Sequence, residues 1–177
     1  VIGATVWDQR TGRYAAATFS PSIKGEYGNA AFLPLSRDGL GSETGAAYSV
    51  GAMTVIGGDE QLPSSTRPVV WINGQGPFAL ASPSQPGQPS FQSVTGLYAD
   101  PRQAPQPSPL LAVGNGRAPG AVTPGTEGFI DSMDISGSKP VISPAIRLPL
   151  PIAANYAYAG AVGGGPGGEP STYTIGG

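Results

Sequence analysis

The sequence has no cysteine and no histidine, and only 11% of its 177 residues are charged. Without cysteine there is no disulfide framework and no thiol chemistry. Without histidine a Ser-His-Asp triad is impossible, and the commonest general base and metal ligand is missing. We therefore expect a protein that is not an enzyme and that carries no cofactor.

Charge of either sign is sparse. Nine Lys and Arg residues stand against 11 Asp and Glu residues, for a net charge of −2. No basic cluster provides the footprint that nucleic-acid binding needs, so we expect no nucleic-acid partner. No apolar run approaches the roughly 20 residues of a membrane span. The opening Val1–Trp7 is too short, and turns too soon, for a signal peptide, and we interpret it as a strand.

Glycine and proline are abundant instead, with 28 and 20 residues. Both interrupt helices and supply turns. A disordered chain would combine high net charge with few aromatic residues, whereas this one has 2 Trp, 7 Tyr and 5 Phe. The composition therefore predicts a folded, turn-rich β protein.

Short runs of β-branched and aromatic residues alternate with turn signals along the chain. The predicted strands are Val1–Trp7, Arg13–Phe19, Tyr48–Val50 and Met53–Ile56 within Ala46–Ile56, Pro68–Ile72, Phe78–Leu80, Phe91–Tyr98, Leu110–Val113, Gly128–Ile135, Val141–Leu148, Ile152–Ala159 and Ser171–Ile175. Asp8–Gly12 and Asn73-Gly74 predict hairpin turns. The expected fold is all-β, a single β-sandwich or jelly-roll barrel of about 8–10 short strands with long Pro/Gly-rich loops.

The loops predict a division of the chain. Ser82–Pro89 and Pro101–Pro109 are proline-rich and should run extended over the surface. Gly160–Glu169 is glycine-rich and predicts a flexible tether that carries the strand-like Ser171–Ile175. We expect a β domain over residues 1–159 and a tether with a tail over 160–177. The tail strand either adds to a sheet of another subunit or pairs locally.

Two stretches of the chain resemble each other. Ser49–Gly57 followed by Val69–Trp71 is similar to Ser93–Gly114 followed by Gly128–Ile130, at an offset of roughly 44 to 58 residues. Two imperfect copies could not close a propeller. The simpler interpretation is that β proteins share such patterns by chance.

Few residues suggest a chemistry. Asp131 and Asp134 are the nearest to a carboxylate pair, but strand alternation places them on opposite faces, and we expect a solvated strand edge. Asp59-Glu60 follows two glycines and predicts a turn. Ser136–Lys139 has the Ser-x-x-Lys spacing, yet Gly137 and Pro140 disfavour the helix that this mechanism needs. Gly114–Gly120 lacks the pattern of a phosphate loop and predicts a turn.

In composition and strand pattern the chain resembles the small coat or cement proteins of bacteriophage capsids, many of which are single jelly rolls or β-sandwiches. This resemblance implies a structural, self-assembling subunit of the virion, made in the host cytoplasm. Its partners would be further copies of itself and other structural subunits. The residues that we expect at assembly interfaces are Tyr173, Ile175, Pro105, Pro107 and Trp71.

The aromatic residues support a second hypothesis. Trp7 and Trp71, together with the tyrosines, would either be core and interface residues or form a platform for stacking on sugars. The platform would make the protein a secreted, extracellular binding module for a carbohydrate or a cell-surface ligand. A hydrolase that uses two carboxylates is a third hypothesis, for which Asp131 and Asp134 are the candidates.

Overall fold

The computed structural model describes residues 2–20, 30–50, 52–80, 90–98, 110–117, 127–137, 139–148, 160–162 and 174–176. These residues form strands and turns and contain no helix, so the expected all-β class is confirmed. All strand pairs among them are antiparallel. The predicted strand Ile152–Ala159 and the proline-rich stretch 101–109 lie outside the described residues.

Sheet one contains β1 (Ile2–Asp8), β2 (Arg13–Phe19) and β3 (Ala31–Phe32), in that order. The hairpin between β1 and β2 is the predicted one, with Gly12 at a φ of 65°. Asp8 holds this turn, because its carboxylate accepts hydrogen bonds from the backbone N–H and the guanidinium of Arg10.

Sheet two contains β4 (Gly41–Val50), β5 (Met53–Gln61), β6 (Thr66–Ile72) and β7 (Gln75–Ala79), in chain order. The predicted Asn73-Gly74 turn joins β6 to β7. Asn73 has a φ of 51° and Gly74 a φ of 75°, the two positive values that a type I′ turn requires.

Sheet three contains β8 (Ser90–Tyr98), β9 (Leu110–Arg117), β10 (Glu127–Asp134) and β11 (Val141–Ile142), while β12 (Ile146–Leu148) also pairs with β10. A further ribbon pairs β13 (Gly160–Val162) with β14 (Thr174–Gly176). The start of the predicted tether is thus a strand, and it contacts β8 and β9. The tail strand pairs locally, within the same chain.

The three main sheets pack face to face, with sheet two in the middle. One core cluster joins sheet one to sheet two and contains Ala16, Leu33, Ile56, Val69 and Trp71. A larger cluster joins sheet two to sheet three and is centred on Val55, Val70, Phe91, Leu110 and Phe129. The layers are those of a sandwich. The jelly-roll alternative is not confirmed, because consecutive strands from β1 to β3, from β4 to β7 and from β8 to β11 are also sheet neighbours, in an up-and-down order.

Parts of the two similar sequence stretches lie in comparable strands. Val55–Gly57 lies in β5 and Ala112–Gly114 in β9, each the second strand of its sheet. In both sheets the first strand has a bulge, and the bulge lies opposite a glycine of the second strand. A side chain at Gly58 would meet the backbone oxygen of Glu43, and one at Gly114 would meet that of Ser93. The bulges make Gly58 the counterpart of Gly114, whereas the similar sequence stretches align Gly57 with Gly114, and Ser49-Val50 lies at the hairpin end of β4, away from its bulge. The two sheets therefore share a bulge opposite a glycine, but the sequence similarity does not correspond to a structural repeat.

Candidate functional site

The candidate site is a cleft of about 690 Å³ at one end of the three sheets. Strands β1, β5 and β9 finish at this end, and β2, β4, β6 and β8 begin there. Neighbouring antiparallel strands run in opposite directions, so the end of one strand lies beside the start of the next. Residues of seven strands therefore meet at one rim. All three sheets contribute to the lining, so the cleft depends on how the layers stack.

An exposed aromatic pair forms one wall of the cleft. Trp7 and Tyr14 are direct cross-strand partners on β1 and β2. Their ring centroids are 5.1 Å apart and their planes meet at 76°, an edge-to-face pair. Trp7 is 55% exposed and Tyr14 is 54% exposed, so neither ring belongs to the core. The pair therefore presents aromatic faces to solvent beside the cleft.

Two carboxylates lie opposite each other within the cleft. Glu43 on β4 pairs in register with Asp59 on β5. Burial raises the pKa of Asp59 to about 6, a hydrogen bond from Ser93 opposes this shift, and the negative charge of Glu43 adds to it. Asp59 therefore holds or releases a proton close to neutral pH.

Amide and guanidinium groups complete the lining. Gln61, Gln92 and Asn115 supply both donors and acceptors, and Arg13 and Arg117 supply donors. Arg13 is held in place, because its Nη1 donates to the carbonyl oxygen of Leu40 at 3.0 Å. The cleft thus combines an aromatic wall with groups that can hydrogen-bond hydroxyls in either direction.

Of the acidic residues singled out in the sequence, Asp59 lines the cleft, whereas Glu60, Asp131 and Asp134 do not. Asp131 and Asp134 are on opposite faces of β10, as predicted from alternation. The expected solvated edge is wrong for Asp131, which is only 1% exposed on the face that packs against sheet two. The predicted turn at Asp59-Glu60 is also wrong, because both residues are in β5.

Glu60 is a structural acid. It is fully buried, and its Oε2 accepts hydrogen bonds from Arg67 at 2.7 and 2.9 Å. Its Oε1 accepts a hydrogen bond from the backbone N–H of Ser36 at 2.6 Å. This network anchors the segment that follows β3 onto sheet two.

Two further motifs are placed by the structure. The predicted turn at Gly114–Gly120 is wrong for Gly114–Arg117, which belong to β9. Ser136 follows β10, and its backbone N–H donates to Asp134 Oδ1 at 2.9 Å. The stretch from Ser136 to Lys139 contains no helix among its described residues.

The residues expected at assembly interfaces are placed only in part. Trp71 is a core residue with 0% exposure, and its Nε1 donates to the carbonyl oxygen of Pro34 at 2.8 Å. Ile175 lies in β14, opposite Ala161. Pro105, Pro107 and Tyr173 fall outside the described residues.

Sequence reasoning missed most of the cleft. Glu43, Gln92 and Asn115 come from three strands, and no short motif links them. The signal that the sequence did offer was Trp7 and Tyr14, which stand on either side of a predicted hairpin and so had to be neighbours. No family model, curated protein or solved structure matches the chain.

Two further features were sought among the described residues, a membrane-spanning helix and a metal-ion site. The part of the chain that the structure describes contains no helix that is long and apolar enough to cross a bilayer. In the same part of the chain, no group of three or more acidic side chains is placed to hold a metal ion.

Proposed function

We propose that this protein is a binding module whose cleft takes a polyhydroxylated ligand, a segment of an oligosaccharide. The observation that carries the proposal is the exposed Trp7–Tyr14 pair beside a cleft of amides and carboxylates. A sugar ring has an apolar face that stacks on an aromatic ring and hydroxyls that both donate and accept hydrogen bonds. The aromatic pair can stack on the apolar face of the sugar, and the amides and carboxylates of the cleft can hydrogen-bond its hydroxyls.

The balance of charge in the cleft supports a neutral ligand. Arg13 and Arg117 offset Glu43 and Asp59, so neither a strongly anionic nor a strongly cationic ligand gains from the field of the cleft. Protonation of Asp59 near pH 6 would change this balance by one unit. In this role the protein would act outside the cell, on soluble or surface-attached glycans.

Tryptophan fluorescence tests the proposal directly. Because Trp71 is fully buried, a spectral shift on adding glycans reports on Trp7. We expect one or more soluble oligosaccharides in a panel to shift the spectrum with saturation. Trp7→Ala should weaken binding of that oligosaccharide by at least about fivefold in calorimetry, since truncating an aromatic residue that anchors a ligand costs more than about 1 kcal/mol.

Phe32→Ala is the matched control, because Phe32 is an exposed aromatic on the other face of sheet one. It should leave glycan affinity unchanged. A panel without any saturable shift, or a Trp7→Ala variant that binds as tightly as the parent, would overturn the proposal.

The second candidate function is a self-assembling structural subunit, a coat or decoration protein of a bacteriophage capsid located in the virion. It is favoured by the low charge content and by apolar side chains exposed on sheet one, among them Ile2 and Phe32. Light scattering over a concentration series tests it. Discrete particles or large closed oligomers would support it, whereas a species no larger than a dimer at every concentration would contradict it.

A further inference from the structure

The two acidic residues of the cleft, Glu43 and Asp59, stand side by side on sheet two. They are direct register partners on β4 and β5, so their side chains leave the sheet on the same face. Direct partners on antiparallel strands have Cβ atoms about 4.5–5.5 Å apart. Both residues line the cleft. A ligand that fills the cleft therefore covers the two carboxyl groups together.

The neighbouring strands determine the surroundings of Asp59. On β6 its register partner is Pro68, which carries no charge. From sheet three, Ser93 hydrogen-bonds to the Asp59 side chain. The same face of β5 approaches β8 two residues earlier, where a Cβ on Gly57 would meet Val94. Asp59 is therefore half-buried between sheets two and three, and its open side is the cleft.

Other titratable side chains surround the pair without neutralising it. They are Arg13 and Tyr14 of β2, Glu60 of β5, Arg67 of β6 and Arg117 of β9. Glu60 and Arg67 form an ion pair with each other, on the face of sheet two that is turned towards sheet one. Among the described residues, neither arginine of the cleft forms an ion pair with Glu43 or Asp59. Glu43 is thus the charged neighbour that acts on Asp59.

A ligand in the cleft should favour the protonated form of Asp59. Burial raises the pKa of Asp59 to about 6, the charge of Glu43 adds to this shift, and the hydrogen bond from Ser93 opposes it. A ligand that fills the cleft removes further water from the pair, which makes a second negative charge beside Glu43 more costly. A protonated carboxyl also offers a ligand both a donor and an acceptor, whereas a carboxylate only accepts.

We infer that the glycan of the proposed function binds across the Glu43–Asp59 pair with Asp59 protonated, and that ionisation of Asp59 releases it. This rests on the proposed function, because the pair is the polar part of the same site. Proton and glycan then strengthen each other's binding by the same factor. A mildly acidic medium favours capture of the glycan, and a weakly alkaline medium favours its release.

The protonated fraction of Asp59 determines the size of the effect. With a pKa of about 6, roughly nine-tenths of the free protein carries this proton at pH 5, and about 3% carries it at pH 7.5. If only the protonated form bound, the apparent affinity would fall by the ratio of these fractions, about thirtyfold. We expect a loss of about five- to thirtyfold, because the ionised form keeps the stacking on Trp7.

Calorimetric titration of the full chain, with an oligosaccharide that binds at pH 5, tests the inference. The affinity of the parent should fall by this factor between pH 5 and pH 7.5. Near pH 7, binding should take up close to about one proton per glycan, measured from the dependence of the heat on the ionisation enthalpy of the buffer.

Asp59→Asn is the decisive variant, because its amide stays neutral at every pH. It should bind the glycan about as tightly at pH 7.5 as at pH 5, and more tightly than the parent at pH 7.5. A folding defect could not produce this gain. Asp38→Asn is the matched control, since Asp38 is an exposed acid outside the cleft, and it should keep the pH dependence of the parent.

The outcomes separate the inference from the binding proposal. Equal affinity of the parent at pH 5 and pH 7.5 would overturn the inference, as would an Asp59→Asn variant that keeps the parent's pH dependence or an Asp38→Asn variant that loses it. In each of these cases the glycan still binds, so the binding proposal stands. A panel in which no oligosaccharide binds at pH 5 would overturn the binding proposal and the inference together.

Discussion

At the scale of single residues, burial determines what each acidic side chain does. Glu60 has no solvent contact and is matched by Arg67 and a backbone N–H. Asp8 is held by Arg10, whose side chain is 76% exposed. Breaking the Glu60–Arg67 pair should therefore lower the free energy of unfolding much more than breaking the Asp8–Arg10 pair.

Replacing Glu60 tests this difference. Glu60→Ala should lower the free energy of unfolding by about 2–4 kcal/mol, because a fully buried side chain is removed and the N–H of Ser36 and the partly buried Arg67 lose their partner. Arg10→Ala should cost less than about 1 kcal/mol, as is usual for an exposed ion pair. Urea denaturation measures both. Equal losses in the two variants would show that the Glu60 network is not buried in solution.

Asp59 gives the protein a pH dependence. Its pKa is raised from 3.8 to about 6 in the folded state, so folding favours its protonated form. Its stabilising contribution is complete below about pH 4 and is lost as the pH rises through 6. Relative to Asp59→Asn, the parent should lose stability on the order of 2 kcal/mol between pH 4 and pH 7.5.

Thermal denaturation of both proteins at several pH values measures the Asp59 effect. Glu43→Gln is a useful companion variant, because it removes the neighbouring negative charge and should move the transition to lower pH. A constant difference in stability between the parent and Asp59→Asn across this range would contradict the assignment.

At the scale of elements, the glycines of the second strands allow the bulges of the first strands to approach. A Cβ at Gly114 would collide with the carbonyl oxygen of Ser93 and the ring of Phe91. Gly114→Ala should therefore cost at least about 2 kcal/mol, whereas Gly137→Ala, whose Cβ meets its nearest atom at 3.5 Å, should stay within about 0.5 kcal/mol. Calorimetric melting compares the two. A tolerated Gly114→Ala would mean that the bulge of β8 can relax.

The elements also show what could be predicted from the sequence. The hairpins around Gly12 and Asn73-Gly74 were predictable, because turn chemistry is local. The cleft was not, since Tyr14, Glu43 and Ser93 come from three different sheets and meet only when these sheets stack in a particular order. Asp131 was misplaced for a related reason. Alternation assigns a side chain to a face, but it does not say whether another layer covers that face.

At the scale of the whole molecule, the middle sheet should be the most stable part. Sheet two is covered on both faces, whereas sheet one shares only the smaller core cluster. Hydrogen exchange should therefore be slowest in β5 and β6 and faster in β1 and β2. Exchange followed by mass spectrometry measures this order. Uniform protection across the sheets would indicate that they open only together.

The up-and-down strand order has a consequence for synthesis. Each strand of the first two sheets bonds to one that directly precedes or follows it in the chain, so each sheet can close its hydrogen bonds from a short stretch of polypeptide. Contacts of this kind are close in sequence and form quickly for a β protein. Sheet one can therefore form on the ribosome before β8 is translated. Each later sheet can then pack against a sheet that has already formed.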